Sequence, residues 1–327
     1  MKFDLNLVSA AIQDMPASVR DADQSGFDGV FVAETTQDPF LALAAAAAVG
    51  RDIDLGTSVA LAFPRSPMIT AVAAWELQRA SHGRFLLGLG SQVRKHIERR
   101  FSTAFERPAA RLREYVLALR HIWECFDGQH PCEFHGEFYR FDFLPDAVKP
   151  APLRHEFPRV HLAAFGPTMY RTAGAVASGA FVHPVHTVDY LRTVAEPAIA
   201  EGLAKADRDR SAFELCVSVL PIVGTGEHGH TAQQRAREQL AFYCSTPNYR
   251  RVLELHGWQN VGAQLQAMVR NGRSDRAAAA VPDEMLDLFC ITADTWPEAV
   301  QRARTRYAGI ADRLSFYYPP PAGVRIQ

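Results

Sequence analysis

The stretch Leu55-Gly56-Thr57-Ser58-Val59-Ala60-Leu61-Ala62-Phe63-Pro64-Arg65-Ser66-Pro67, and after it Gly83-Arg84-Phe85-Leu86-Leu87-Gly88-Leu89-Gly90-Ser91-Gln92, decides the fold. Its first half continues an apolar run over 53–61, which predicts a strand. Ser66-Pro67 then reads as a helix start, with Ser66 as N-cap and Pro67 at the first helical position, where its missing N–H costs nothing. Between the two quoted segments Ile69, Val72, Ala73, Leu77 and Ala80 recur at helical spacing, predicting one apolar face laid on a sheet. Gly83 stops the helix, and 84–90 is a second strand. Strand, helix, strand with short connections implies parallel neighbours, because only a crossover can bring a second strand alongside in the same direction.

The same rhythm extends both ways. Upstream are strands over 2–9 and 28–32, a short helix around 19–24 ended by Gly26, and a second cap-and-proline start at Asp38-Pro39 opening an alanine-rich helix to Val49. Downstream, a long helix over 109–126 carries Leu112, Val116, Leu119, Trp123 and Phe126 on one stripe. Residues 128–158, rich in Pro, His, Phe and Tyr, break the rhythm as an inserted loop with a small hairpin. Strands follow near 159–165, 180–184 and 214–223, then an irregular helical region over 229–287, a last strand at 288–292 and a helix over 296–307. The runs are nearly continuously apolar, as when both faces of a parallel sheet are covered. Eight units predict an α/β fold of the (β/α)8 TIM-barrel type, with insertions after strands 4 and 7 (about 92–158 and 225–287) in a single domain spanning 1–327.

Composition narrows the function. The chain has 327 residues, 48% of them hydrophobic, with 35 basic and 36 acidic side chains and a formal net charge of -1. That balance offers no footprint for nucleic acid. No apolar run is long enough to span a bilayer, and Met1-Lys2-Phe3-Asp4-Leu5-Asn6 lacks the charged and apolar regions of a signal peptide, so a cytoplasmic protein is expected. The five cysteines are odd in number and never spaced as CxxC, which predicts neither a disulfide framework nor a zinc ribbon. His130, Cys132 and His135 cluster locally, but at a spacing that matches no structural zinc pattern; no metal is expected.

In a TIM barrel chemistry sits at the C-terminal strand ends. Here those are Glu34-Thr35, Ser58-Val59-Ala60, Gly90-Ser91-Gln92, Phe165-Gly166-Pro167-Thr168 and His183-Pro184. Gly88-Leu89-Gly90 lacks the rest of a dinucleotide fingerprint. Neither GxxxxGK[ST] nor GxSxG occurs, which leaves nucleotide hydrolysis and a serine elbow unsupported. Ala164-Phe165-Gly166-Pro167-Thr168-Met169 is different: a small-residue turn feeding a helix start suits one phosphate.

The segments 55–67 and 83–92, with Phe165-Gly166-Pro167 leading into Thr172-Ala173-Gly174 and then Ser178-Gly179-Ala180-Phe181-Val182-His183-Pro184, resemble the luciferase-like monooxygenase superfamily. Phe242-Tyr243-Cys244-Ser245-Thr246-Pro247-Asn248-Tyr249 and Leu253-Glu254-Leu255-His256-Gly257-Trp258 resemble the subgroup that uses the deazaflavin coenzyme F420. The resemblance implies a TIM barrel with flavin or deazaflavin at its mouth. A bulge in the third strand would lie behind the ring, with a non-prolyl cis peptide at Ser58-Val59 and Ala60 beside it. Gly90, Ser91 and Gln92 would flank the ring, and Phe165, Gly166, Pro167 and Thr168 would hold the phosphate. Many deazaflavin relatives carry Asp-His after strand two; this chain has Glu34-Thr35. Glu34, His96 and His183 are the titratable candidates for catalysis. The basic run Arg94-Lys95-His96-Arg99-Arg100 either meets the coenzyme's polyglutamate tail or is solvated. The implied function is hydride transfer between F420 and a small organic substrate, with an FMN-dependent monooxygenase and a noncatalytic cofactor-binding protein as alternatives. A homodimer is expected through the 42–48 face and the 69–80 helix.

Overall fold

The apolar runs form parallel strands and the capped segments between them form helices. The computed structural model describes residues 1–9, 11–50 and 52–326. Its strands are β1 (Lys2–Leu7), β2 (Gly29–Val32), β3 (Asp54–Thr57), β4 (Ala60–Leu61), β5 (Phe85–Gly90), the hairpin β6 (Phe134–His135) and β7 (Arg140–Phe141), β8 (Arg159–Ala164), β9 (Gly179–Val182), β10 (Glu214–Val223), β11 (Cys290–Ala293) and β12 (Arg313–Phe316). Parallel pairing runs β1–β2–β3–β5–β8–β9–β10–β12 and returns to β1, closing an eight-stranded (β/α)8 TIM barrel, with β4 continuing the third strand after a break.

The closing strand differs from the sequence expectation. The segment expected as the eighth strand forms β11, which pairs with the outer half of β10, Leu220–Val223. Closure falls to β12, which pairs with Cys216–Val219 on one side and Lys2–Asp4 on the other. The reason is length. β10 has ten residues, about twice the usual strand, so its end projects past the rim and accepts an extra neighbour.

Local signals work as physics requires. Asp38 accepts from the Phe40 N–H at 2.8 Å and Ser66 from the Ile69 N–H at 3.2 Å, and each cap is followed by proline at the helix start. The helix Pro67–Ala80, however, turns a different face inward from the one its apolar spacing predicts. Ile69 and Val72 are exposed, whereas Thr70, Ala71, Ala74, Trp75, Leu77 and Gln78 are buried. Polar groups can occupy that face because each is satisfied. Thr70 bonds Tyr115 at 2.6 Å, and the Gln78 amide bridges the Glu156 carbonyl and the Phe85 N–H. The stripe on the helix Pro108–Phe126 is buried throughout, and Trp123 donates to the Ala71 carbonyl across the helix pair.

Inside the barrel the floor is charged. Arg313 is fully buried and bonds both oxygens of Asp4 at 2.8 and 2.7 Å and one oxygen of Asp54 at 2.7 Å. Lys2 and Arg159 also reach Asp54, and Arg159 reaches Glu214. Above this layer Phe31 and Phe181 meet edge to face with ring centroids 5.7 Å apart. All five cysteines are free and buried. Among the described residues no helix is long and apolar enough to cross a membrane.

Candidate functional site

At the C-terminal ends of the strands the barrel opens into a cavity of about 690 Å³. Three walls and a floor define it.

One wall is the break between β3 and β4, where the Ser58–Val59 peptide is cis. The break is held from behind. The Ser58 N–H donates to the Val32 carbonyl at 2.8 Å and the Glu34 N–H to the Val59 carbonyl at 3.2 Å. The Glu34 carboxylate accepts from the Leu61 N–H and from the Arg65 guanidinium, each at 2.7 Å, and Arg65 also pairs with Asp38 at 2.7 Å. On β5 the neighbouring positions have to be glycine. A Cβ at Gly90 would lie 2.7 Å from Val59 Cγ2, and one at Gly88 would run into the Thr57 carbonyl.

The second wall is the start of the helix Pro167–Val176. Gly166 takes φ +78° with no side-chain cap, a conformation that favours glycine. Pro167 has no N–H, so the groups at the end of this helix are the Thr168 and Met169 N–H donors, aligned with the helix dipole. A Cβ at Gly166 would meet nothing within 4 Å. Arg251 lines the same cavity and adds a cation.

Aromatic rings form the third wall. His183 stacks on Tyr249 with centroids 4.4 Å apart and meets Tyr243 edge-on at 4.5 Å; Phe165 packs edge-on against Tyr249. Burial, and then the neighbouring His186, push the His183 imidazole down to about 3, which keeps it neutral. Its Nδ1 accepts from the Val185 N–H at 3.2 Å, so the proton is on Nε2 and is donated to the Tyr249 hydroxyl at 2.9 Å. That hydroxyl's own proton is left to point elsewhere. Burial raises the phenols of both Tyr243 and Tyr249, and Tyr243 shares a 2.8 Å bond with Tyr317. On the floor Asn6 Oδ1 and Ser218 Oγ are buried and have no hydrogen-bond partner among the described residues.

Ser58, Val59, Gly90, Ser91, Gln92, Phe165, Gly166, Pro167, Thr168 and His183 thus come together on one cavity. Three other candidates do not. Ala60 is buried in β4 behind the wall. Glu34 is bound into the clamp with Arg65. His96 is exposed on the helix Arg94–Arg99, outside the lining, where Arg94 pairs with Glu98 and Arg100 donates to the Thr35 carbonyl. Sequence reasoning missed Asn6, Ser218, Tyr243, Tyr249, Arg251 and Tyr317. The 242–249 segment was the available signal for two of the tyrosines.

The mouth of this TIM barrel thus gathers a backbone break, a helix start without a side-chain cap and a set of phenols on one cavity. The chain belongs to the luciferase-like monooxygenase family, whose model matches residues 3–313. It is 43% identical over 318 residues to an uncharacterised protein of Mycobacterium tuberculosis, covering 96% of this chain and 92% of that one. It is 30% identical over 307 residues to a putative coenzyme F420-dependent oxidoreductase of the same organism, covering 88% and 86%. Among solved structures, the coenzyme F420 dependent tetrahydromethanopterin reductase from Methanopyrus kandleri superposes with a TM-score of 0.76 at 19% identity, covering 99% of this chain and 95% of that one.

Proposed function

We propose that this enzyme transfers hydride between coenzyme F420 and a small organic substrate at the barrel mouth. The observation that carries this reading is a single cavity joining the cis-peptide wall to the Gly166 helix start, so that a flat ring and a phosphate can be held at once. The 30% identical relative named as F420-dependent supports the choice of coenzyme. The residues present fit the group: Asn6 Oδ1 and Ser218 Oγ are unpartnered at the floor, and the space beside Gly166 is open.

When bound, the deazaflavin supplies a hydride donor or acceptor carbon. The chain's part is positioning. Ser58 and Val59 back the ring and Ser91 and Gln92 flank it. Thr168 and Met169 offer backbone N–H groups to the phosphate beside the open space at Gly166, with Arg251 neutralising its charge. Glu34 is a positioning residue: through Leu61 and Arg65 it fixes the bulge that the ring rests on. Tyr249 is the proton donor, because His183 occupies its hydroxyl oxygen and leaves its O–H free for the substrate. The aromatic wall excludes water.

A second reading, an FMN-dependent monooxygenase, is favoured by the description of the matched family itself. Titration of the purified chain with F420 and with FMN separates the two. Tight F420 binding with hydride transfer is expected. FMN binding without F420 binding replaces the first reading with the second, and F420 binding without turnover on a substrate panel makes the protein a noncatalytic carrier. We further propose a cytoplasmic homodimer paired through the 69–80 helix, where Ile69 and Val72 are exposed; of the 42–48 face, Ala42, Leu43, Ala46 and Ala47 are buried in the chain's own core, so the neighbouring exposed Leu41 takes its place.

A further inference from the structure

The helix Pro108–Phe126 leads away from the mouth, and near its end His121 and Cys125 stand one turn apart on the same side. The loop that follows turns back and sets His130 and Cys132 beside them. The ligand atoms of His121, Cys125 and His130 all lie within 4.8 Å of one another. His121 Nε2 is buried with no hydrogen-bond partner among the described residues. Cys125 Sγ is 3.5 Å from His130 Nδ1, and Cys132, buried on the same loop, is close enough for its thiol to act on that of Cys125. His121 and His130 stack with centroids 4.4 Å apart.

We propose that His121 Nε2, Cys125 Sγ and His130 Nδ1 bind one zinc ion, with Cys132 Sγ from the same loop completing the fourth position. Geometry supports the assignment: in a tetrahedral site with Zn–S near 2.3 Å and Zn–N near 2.0–2.1 Å, sulfur and nitrogen ligands are about 3.5 Å apart. The surroundings support it as well. His130 Nε2 is 3.0 Å from Glu124 Oε2. A metal-binding histidine needs such a partner on its other nitrogen, because a carboxylate there fixes the tautomer and raises the ligand's basicity. Lys149 lies close enough for its charge to act on both thiols, and two thiolates with two neutral imidazoles would leave the zinc complex uncharged. Without metal, His130 Nδ1 and Cys125 Sγ face the Pro131 carbonyl at 3.0 and 3.5 Å; coordination replaces those contacts and the protons they hold.

The sequence hid this set because its local cluster pointed to the wrong partner. His135 is exposed on β6, while the two further ligands lie upstream on the helix. The site would staple the inserted loop to the barrel. Phe134 of the hairpin already packs on His121, and Glu114 accepts three N–H groups from Glu137, Phe138 and Tyr139.

The test uses the full-length chain, stripped of metal and titrated with zinc against a chromophoric chelator, and separately with cobalt(II). About one zinc per chain is expected, along with tetrahedral cobalt bands and sulfur-to-cobalt charge transfer. His121→Gln and Cys125→Ser should each abolish stoichiometric binding, and Glu124→Gln should weaken it about tenfold or more. His121 and Glu124 are only half-buried, so those two variants fold, as circular dichroism would verify. Failure to compete with the chelator, a cobalt spectrum without thiolate charge transfer, unchanged binding in His121→Gln, or a Cys125–Cys132 disulfide in the freshly purified chain would each overturn the proposal.

Discussion

Arg313→Met should be among the most damaging substitutions in this barrel, and its cost can be worked from the floor. The guanidinium makes three bonds, two to Asp4 and one to Asp54. Without it Asp54 keeps Lys2 at 2.8 Å and Arg159 at 3.5 Å. Asp4, only 4% exposed, has no other cation among the described residues. Removing one partner of a buried pair costs about 3–5 kcal/mol, because the remaining charge is stranded. Burial already pushes the Asp4 carboxyl up despite the arginine against it, and without the arginine it rises further. A carboxyl raised in the fold contributes its stability at low pH and loses it as pH rises, at up to about 1.4 kcal/mol per unit. The deficit should therefore be about 4 kcal/mol at pH 7.5 and fall below about 2 kcal/mol at pH 5. Urea unfolding followed by circular dichroism at the two pH values measures it, and Arg313→Met/Asp4→Leu should recover most of the loss at pH 7.5. A single variant within about 1 kcal/mol of the parent, or a deficit independent of pH, would refute the reasoning.

Tyr249→Phe keeps the ring on His183 but removes the hydroxyl, so turnover should fall by about a hundredfold with cofactor affinity unchanged in stopped-flow and titration; equal turnover removes Tyr249 as donor. Gly166→Asp should abolish cofactor binding, whereas Gly166→Ala, which carries the same backbone penalty of about 1–3 kcal/mol, should retain it; equal affinities in the two variants would move the phosphate elsewhere. Fully buried His186, pushed down to about 4 chiefly by burial, must stay neutral in the fold. Its contribution is complete above the unfolded value of 6.5 and drains as pH falls toward 4. Between pH 7.5 and 4.5 that is a loss of about 2.5 kcal/mol, which His186→Gln should remove from the urea-unfolding pH profile. Ile69→Lys, at a position 63% exposed, should convert the proposed dimer to monomer in light scattering; a dimer that persists puts the interface elsewhere, and a parent chain that is already monomeric removes the dimer.

What was legible in the sequence was what is local. Asp38-Pro39 and Ser66-Pro67 announce helix starts because capping is decided within four residues. The glycines of β5 are readable in place, although their reason is not: Gly88 and Gly90 answer to Thr57 and Val59 on another strand. β12 was missed because its four residues, Arg-Leu-Ser-Phe, carry an inward charge that only Asp4 and Asp54 make tolerable. The site divides the same way. The Phe165–Thr168 turn is contiguous, and its place on the cavity was readable. The phenol wall is assembled from residues 243, 249 and 317, and nothing within any one segment says that they meet. Glu34 has suitable chemistry at the right strand end, and only the structure shows its carboxylate committed to Arg65 and Leu61.

The charged floor also sets an order of events. Asp4 and Arg313 are 309 residues apart, and Asp54 and Arg313 are 259 apart. A chain emerging from the ribosome therefore carries its first three strands long before Arg313 exists, and the sheet has to remain open at both edges until β12 has been made. During that wait Asp54 has Lys2, its partner at 2.8 Å in the fold, but Asp4 has no cation among the described residues until Arg313 arrives. β12 then brings the guanidinium to Asp4 and shuts the ring in one step. The residue that settles the most deeply buried charge is thus carried by the strand that locks the barrel.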